Sequence, residues 1–127
     1  MVIKKGRFVV DIYKVSIHII ICDTEESVAI EGSKLTKRYK EDSIDDPCFG
    51  LCFAPDLKAG TYYLLLAANG LTVNTITHET DHLRNYIIDF CSLAEYTDSK
   101  EASANLNGFL NEKVFKFLIK NKIEIKY

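Results

Sequence analysis

The sequence lacks an excess of charge of either sign: 16 Lys and Arg stand against 18 Asp and Glu in 127 residues, a net charge of −2. That leaves no electrostatic case for nucleic acid or for an anionic membrane surface as a partner. The lysines near the C-terminus do not alter this, because they are interleaved with apolar residues in the manner of a solvated helix face. A long uninterrupted apolar run is missing as well. The most apolar stretch, Phe8 to Cys22, is broken by Asp11, Lys14 and His18, and is too short and too charged for a membrane span. The N-terminal MVIKKGR shows no apolar segment followed by a small-residue cleavage site, so no signal peptide is expected and the chain reads as cytoplasmic. Internal repeats and low-complexity segments are lacking too. What remains is an ordinary globular composition, with seven tyrosines and seven phenylalanines spread along a chain long enough for one domain, residues 1–127, and not for two.

Cysteine is scarce. Cys22, Cys48, Cys52 and Cys91 could pair, but without a secretion signal reduced and mostly buried thiols are expected. Cys48 and Cys52 flank Phe49-Gly50-Leu51, a weak match to zinc spacing with no second pair to complete it. The acidic stretch from Lys40 to Pro47 lacks the glycine and ligand spacing of a calcium loop and reads as a solvated connection.

Residue patterning gives a coarse order of elements. Phe8 to Cys22 is rich in β-branched and aromatic residues and reads as one long strand, or two with a bend. Asp23 or Thr24 can cap a helix that runs to about Tyr39, with Glu25 and Glu26 in its first turn. Phe49 to Ala54 and Thr61 to Ala68 are strand candidates around the turn residues from Pro55 to Gly60, and their spacing suits antiparallel pairing. Thr72 is a fair N-cap for a helix to about Cys91. Ser92 to Thr97 connects it to a last helix, opened by Asp98 or Ser99 and ending near Asn121. The alternating tail Lys122 to Tyr127 suits a short edge strand. The expectation is an α+β fold in the order β-α-β-β-α-α: a small mixed or antiparallel sheet with helices mainly on one face.

One motif stands out of this background. His78-Glu79-Thr80-Asp81-His82 spells H-E-x-x-H inside the expected 72–91 helix. Residues four apart lie about one turn apart on the same helix face, so two imidazoles can meet one metal ion while the neighbouring glutamate takes a proton from water. With three histidines and nine glutamates in the chain, shuffling gives the pattern in only about three chains per thousand. On a helical wheel with His78 at zero, His82, Asn85 and Asp89 fall within about 40° and form a polar stripe. Val73, Ile76, Leu83, Ile87 and Phe90 cluster at roughly 120–220° and form an apolar one, with Glu79 near 100° between the two. Without metal, the same residues read as two surface or core histidines beside an ordinary helix-forming glutamate.

A catalytic zinc site takes three protein ligands and leaves a position for water. His18, the remaining histidine, lies among isoleucines and reads better as a hydrogen-bonded core residue. Glu101, at the start of the last helix, is the better third ligand, because Ala102, Ser103 and Ala104 permit close helix packing. Asp98-Ser99-Lys100-Glu101 also has capping-box spacing, so Glu101 could instead satisfy its own helix terminus. Glu95 and Asp98 are alternatives.

HETDH followed after eighteen residues by Glu101 resembles the glutamate-ligand branch of the zincin metallopeptidases, the gluzincins. The match spans about Tyr62 to Phe109. It is also similar to minimal zincin-like proteins of phages and mobile elements, whose pattern ends near a Gly-aromatic pair, here Gly108-Phe109. The metzincin extension, with a third histidine and a glycine shortly after the motif, is absent. The resemblance implies zinc held by His78, His82 and Glu101, with Glu79 as general base toward a peptide or protein substrate. It further implies Asp89 or Asn85 orienting a ligand histidine, and substrate added along an edge strand, for which Tyr62 to Ala67 is the candidate. Larger members carry a tyrosine or histidine that stabilises the oxyanion; Tyr96 and Tyr86 are the candidates here. With so little chain left over, the cleft is expected to be shallow or completed by a protein partner.

Overall fold

The computed structural model describes residues 1–44, 46–91 and 99–127. Among them are strands β1 (Val2–Val10), β2 (Val15–Cys22), β3 (Gly50–Phe53) and β4 (Thr61–Ala67), and helices α1 (Glu25–Arg38), α2 (Val73–Cys91) and α3 (Ser99–Lys120). The fold is α+β, as the pattern suggests. Its order, ββαββαα, follows the two-strand reading of Phe8 to Cys22, and the first of the two begins earlier than expected, at Val2.

That earlier start comes from the charged N-terminus. The apolar stretch 8–22 is split by a tight turn at 11–14, where Tyr13 N–H donates to the Val10 carbonyl and Lys14 takes a positive φ of 55°. β1 therefore begins at Val2 and pairs antiparallel with β2 from Val10↔Val15 outward. Lys4, Lys5 and Arg7 make β1 look like a polar leader, yet charged side chains are ordinary on an edge strand, where they discourage further pairing.

The sheet order is β1-β2-β4-β3. β2 and β4 run parallel, and β3 and β4 pair antiparallel as their spacing implies. β4 is thus an inner strand buried along its whole length, and β1 and β3 form the two edges. This corrects the expectation that Tyr62 to Ala67 offers a free edge for substrate. The tail is corrected too: it forms no strand. It makes a single bridge, Lys126 N–H to the Leu71 carbonyl at 2.9 Å and Val73 N–H to the Lys126 carbonyl at 3.1 Å, which ties it beside the start of α2.

Helices cover both faces. Alternation along the strands sends Ile17, Ile19, Ile21, Leu64 and Leu66 to one side, where Ile76, Leu83 and Ile87 of α2 meet Leu106, Leu110, Val114 and Leu118 of α3. Ile20, Cys22, Leu65 and Ala67 point the other way, onto Val28 and Leu35 of α1. Covering both faces suits the parallel β2–β4 pair at the centre. α1 is capped at its start by Thr24, which accepts from Ser27 N–H at 3.2 Å, and carries Lys37 and Arg38 in its last turn to complement the helix dipole. α2 is capped by Thr72, whose hydroxyl accepts from Thr75 N–H at 3.1 Å. None of the described helices is long and apolar enough to cross a membrane. The four cysteines are free thiols, Cys22 buried and the others half-buried.

Candidate metal site

α2 lays its apolar stripe on the sheet, and that alone turns the histidines outward. Ile76, Leu83 and Ile87 are fully buried, whereas the His78 side chain is 64% exposed. The two imidazoles stand edge to face, with ring centroids 4.7 Å apart and their Nε2 atoms 3.2 Å apart. Two ligands on a tetrahedral ion with bonds of about 2.0–2.1 Å stand roughly 3.3–3.4 Å apart, so the pair is spaced to share one. Glu79 completes the cluster. The ligand atoms of His78, Glu79 and His82 lie within 4.8 Å of one another, and the three form a group that could hold a metal ion.

Glu79 is held differently from its neighbours. Its side chain is 9% exposed and its Oε1 lies 3.9 Å from His78 Nε2. The burial comes from β3: a methyl placed on Gly50 would fall 2.7 Å from Glu79 Cγ and 2.9 Å from Thr75 Cγ2. Glycine at this point lets the edge strand come close enough to roof the carboxylate. One residue pair along, the Cys52 thiol donates to the Glu79 carbonyl at 3.0 Å, tying the helix to the same strand. The electrostatics register this proximity. Burial pushes the Cys48 and Cys52 thiols up, and the charge of Glu79 pushes them further. Tyr86 is also raised, by burial first and then by Cys52 and Glu79, and its ring stacks on Tyr62 at 6.1 Å. Tyr86 therefore shares the Glu79 side of α2.

The other expected site residues are not brought together with these. α3 runs antiparallel to α2: Thr80 Oγ1 donates to Asn111 Oδ1 at 2.9 Å, while the tail after α3 reaches the start of α2. Glu101 precedes Asn111 by ten residues, about 15 Å along the helix axis, and is exposed. The wheel explains the sideways mismatch, since Thr80, which faces α3, lies about 160–200° around α2 from the two histidines. Glu101 is accordingly outside the His78–Glu79–His82 group. His18 lies on the α1 face, stacked on Tyr63 at 4.9 Å, with the sheet between it and α2. Asp89 lines a small hollow with Tyr62, Tyr86 and Phe90 further along α2, and the contacts of His78 are to His82 and Glu79 rather than to Asp89 or Asn85. Glu95, Tyr96 and Asp98 lie outside the described residues. Cys48 and Cys52 do not form a metal group of their own among those residues.

β3 is the part of the site that motif reading missed. Its signal was a glycine near the start of the apolar run Phe49 to Ala54, which marks a close approach by another segment. No protein-family model, curated protein or solved structure matches the chain.

Proposed function

We propose that the chain is a minimal zinc-dependent metallopeptidase of the H-E-x-x-H type without the glutamate ligand of the gluzincins, with His78 and His82 as metal ligands and Glu79 as general base. The observation that carries this reading is the pairing of two imidazoles 3.2 Å apart with a carboxylate buried beside them under an edge strand. Bound zinc would supply Lewis-acid polarisation and would acidify water toward neutral pH. The 3.9 Å from Glu79 Oε1 to His78 Nε2 exceeds the spacing of two tetrahedral ligands by about 0.5 Å, which suits a group that handles a proton better than a third ligand. Glu79 would take the proton of the attacking water and return it to the leaving nitrogen. Tyr86, on the same side of α2, is the candidate for stabilising the oxyanion. A peptide would add its backbone to β3, the edge strand that lies over Glu79, and a protein partner would complete the open side.

A second reading has one observation in its favour. Glu79 is itself within the ligand group, and a ligand carboxylate would not be free to act as base. The chain would then be a binding or regulatory module with a structural metal.

Glu79→Gln separates the two. The peptidase reading expects about one zinc per untagged chain, lost in His78→Ala, retained in Glu79→Gln, and peptide cleavage abolished in both. Loss of metal in Glu79→Gln would favour the structural reading. Wild-type protein that takes up no metal after zinc is added back would overturn both.

A further inference from the structure

The face of the sheet turned away from the histidines carries a second polar constellation. Between β1, β2 and the second half of α1 lies a cavity of about 220 Å³. The register Lys5↔Ile20 and Arg7↔His18 puts Lys5, Arg7 and His18 on the α1 side of the sheet. Lys34 and Arg38, four residues apart on α1, line the cavity from above, and Tyr63 lines it from β4. Three full cations, Lys5, Lys34 and Arg38, therefore converge on a space that has one carboxylate, Glu31, in its wall. That carboxylate is already engaged by Lys34 at 3.1 Å. His18 and Tyr63 stack at 4.9 Å, and the Tyr63 hydroxyl shares a 2.8 Å hydrogen bond with that of Tyr39. The charges that act on His18 are positive: burial lowers its pKa, and Arg7 and Lys58 lower it further.

We propose that this cavity binds a compact, multiply charged anion of the phosphate class. A chain of net charge −2 has collected cations from two separate elements around one hollow; with Lys34 paired to Glu31, the charge left for an anion to neutralise is that of Lys5 and Arg38. Arg38 offers a planar fork and the two lysines offer mobile ammonium groups, a combination that suits phosphate oxygens. The hollow is smaller than the roughly 300–1,000 Å³ of pockets for drug-sized ligands, and its volume suits a phosphate or diphosphate group. The site lies across the sheet from His78 and His82 and stands independently of the peptidase reading.

The test is pyrophosphate titrated into the metal-stripped 127-residue chain, followed by calorimetry and by the histidine ring signals in NMR. Saturable binding to one site is expected, with the His18 signals moving and those of His78 and His82 still. Lys5 and Arg38 are exposed, so Lys5→Gln/Arg38→Gln should keep the wild-type circular dichroism while weakening binding about tenfold or more. Arg38→Lys, which keeps the charge and loses the fork, should fall between. Inorganic phosphate should bind at the same place more weakly, and succinate should not compete. Unsaturable binding, equal affinity in the double variant, equal binding of succinate, or shifts centred on His78 and His82 would each overturn the proposal.

Discussion

Gly50→Ala tests directly how Glu79 is held. The new methyl would sit 2.7 Å from Glu79 Cγ and 2.9 Å from Thr75 Cγ2, about an ångström inside the optimal carbon–carbon separation of roughly 3.5–4.0 Å. Gly50 is not among the residues with positive φ, so alanine brings no backbone strain. It should even recover about 0.5–1 kcal/mol by restricting the unfolded chain. Overpacking of this kind costs about 1–3 kcal/mol, and a contact as short as 2.7 Å belongs in the upper half of that range, which leaves a net loss of roughly 1–2.5 kcal/mol. For a chain of this length that corresponds to a fall in Tm of roughly 3–10 °C. Glu79→Ala removes the Cγ that the methyl meets and leaves the Thr75 contact. In that background the cost of Gly50→Ala should shrink by about 1 kcal/mol, a coupling measurable by urea unfolding of the four proteins of the cycle. Gly50→Ala should also keep its metal, since His78 and His82 are untouched, while any hydrolysis falls as the carboxylate shifts. An identical cost in both backgrounds, or a Gly50→Ala protein as stable as wild type, would show that β3 does not roof Glu79.

The remaining expectations are simpler. His82→Ala should lose bound metal and the stabilisation that goes with it, about 2.7 kcal/mol when metal is present at one hundred times its Kd, whereas Glu101→Ala should keep both; metal analysis and thermal melts with and without zinc decide. Thiol labelling near neutral pH should modify Cys48 and Cys91 well before Cys22 and Cys52, because burial pushes Cys22 up to about 11 and holds Cys52 well above its ordinary value; fast labelling of Cys22 would contradict the packing of α1 on β2. His18 has a folded pKa below its ordinary value of 6.5, so the unfolded chain takes up this proton first as pH falls. Its contribution to stability is therefore complete above the unfolded value and is lost as pH drops from there through the folded one; urea midpoints between about pH 7.5 and pH 5.5 should fall less in His18→Gln than in wild type.

Local chemistry was legible where one segment carries its own signal. Thr24 before Glu25-Glu26, Thr72 before the H-E-x-x-H helix, and the turn residues between β3 and β4 each announce a boundary, and the structure places caps and turns there. The charged first part of β1, Val2 to Arg7, was not legible, because its stabilisation comes from pairing with β2 rather than from its own composition. A strand reading K-K-G-R looks like a leader until a partner is found for it. The tail failed in the opposite sense. Its alternation is that of a strand, but the sheet edges lie elsewhere, and β2 and β4 leave no place beside them.

The candidate site divides along the same line. The spacing of His78 and His82 is a property of one helix, so the sequence could give it, and the 3.2 Å between their Nε2 atoms follows from a single turn. Glu101 belongs to another helix, and its position depends on where α3 meets α2. The register is set by Leu106, Leu110, Val114 and Leu118 against the core and by the Thr80–Asn111 hydrogen bond, none of which involves His78 or His82. Small residues at 102–104 permit close packing without saying what they pack against. The carboxylate that lies beside the histidines is Glu79, from the same helix, and a strand buries it. Gly50 and Cys52 decide whether that carboxylate is a buried base or an exposed helix-former, and the motif contains neither of them. Two histidines at helical spacing can therefore nominate a metal, but the burial of the carboxylate between them depends on the edge strand that covers it.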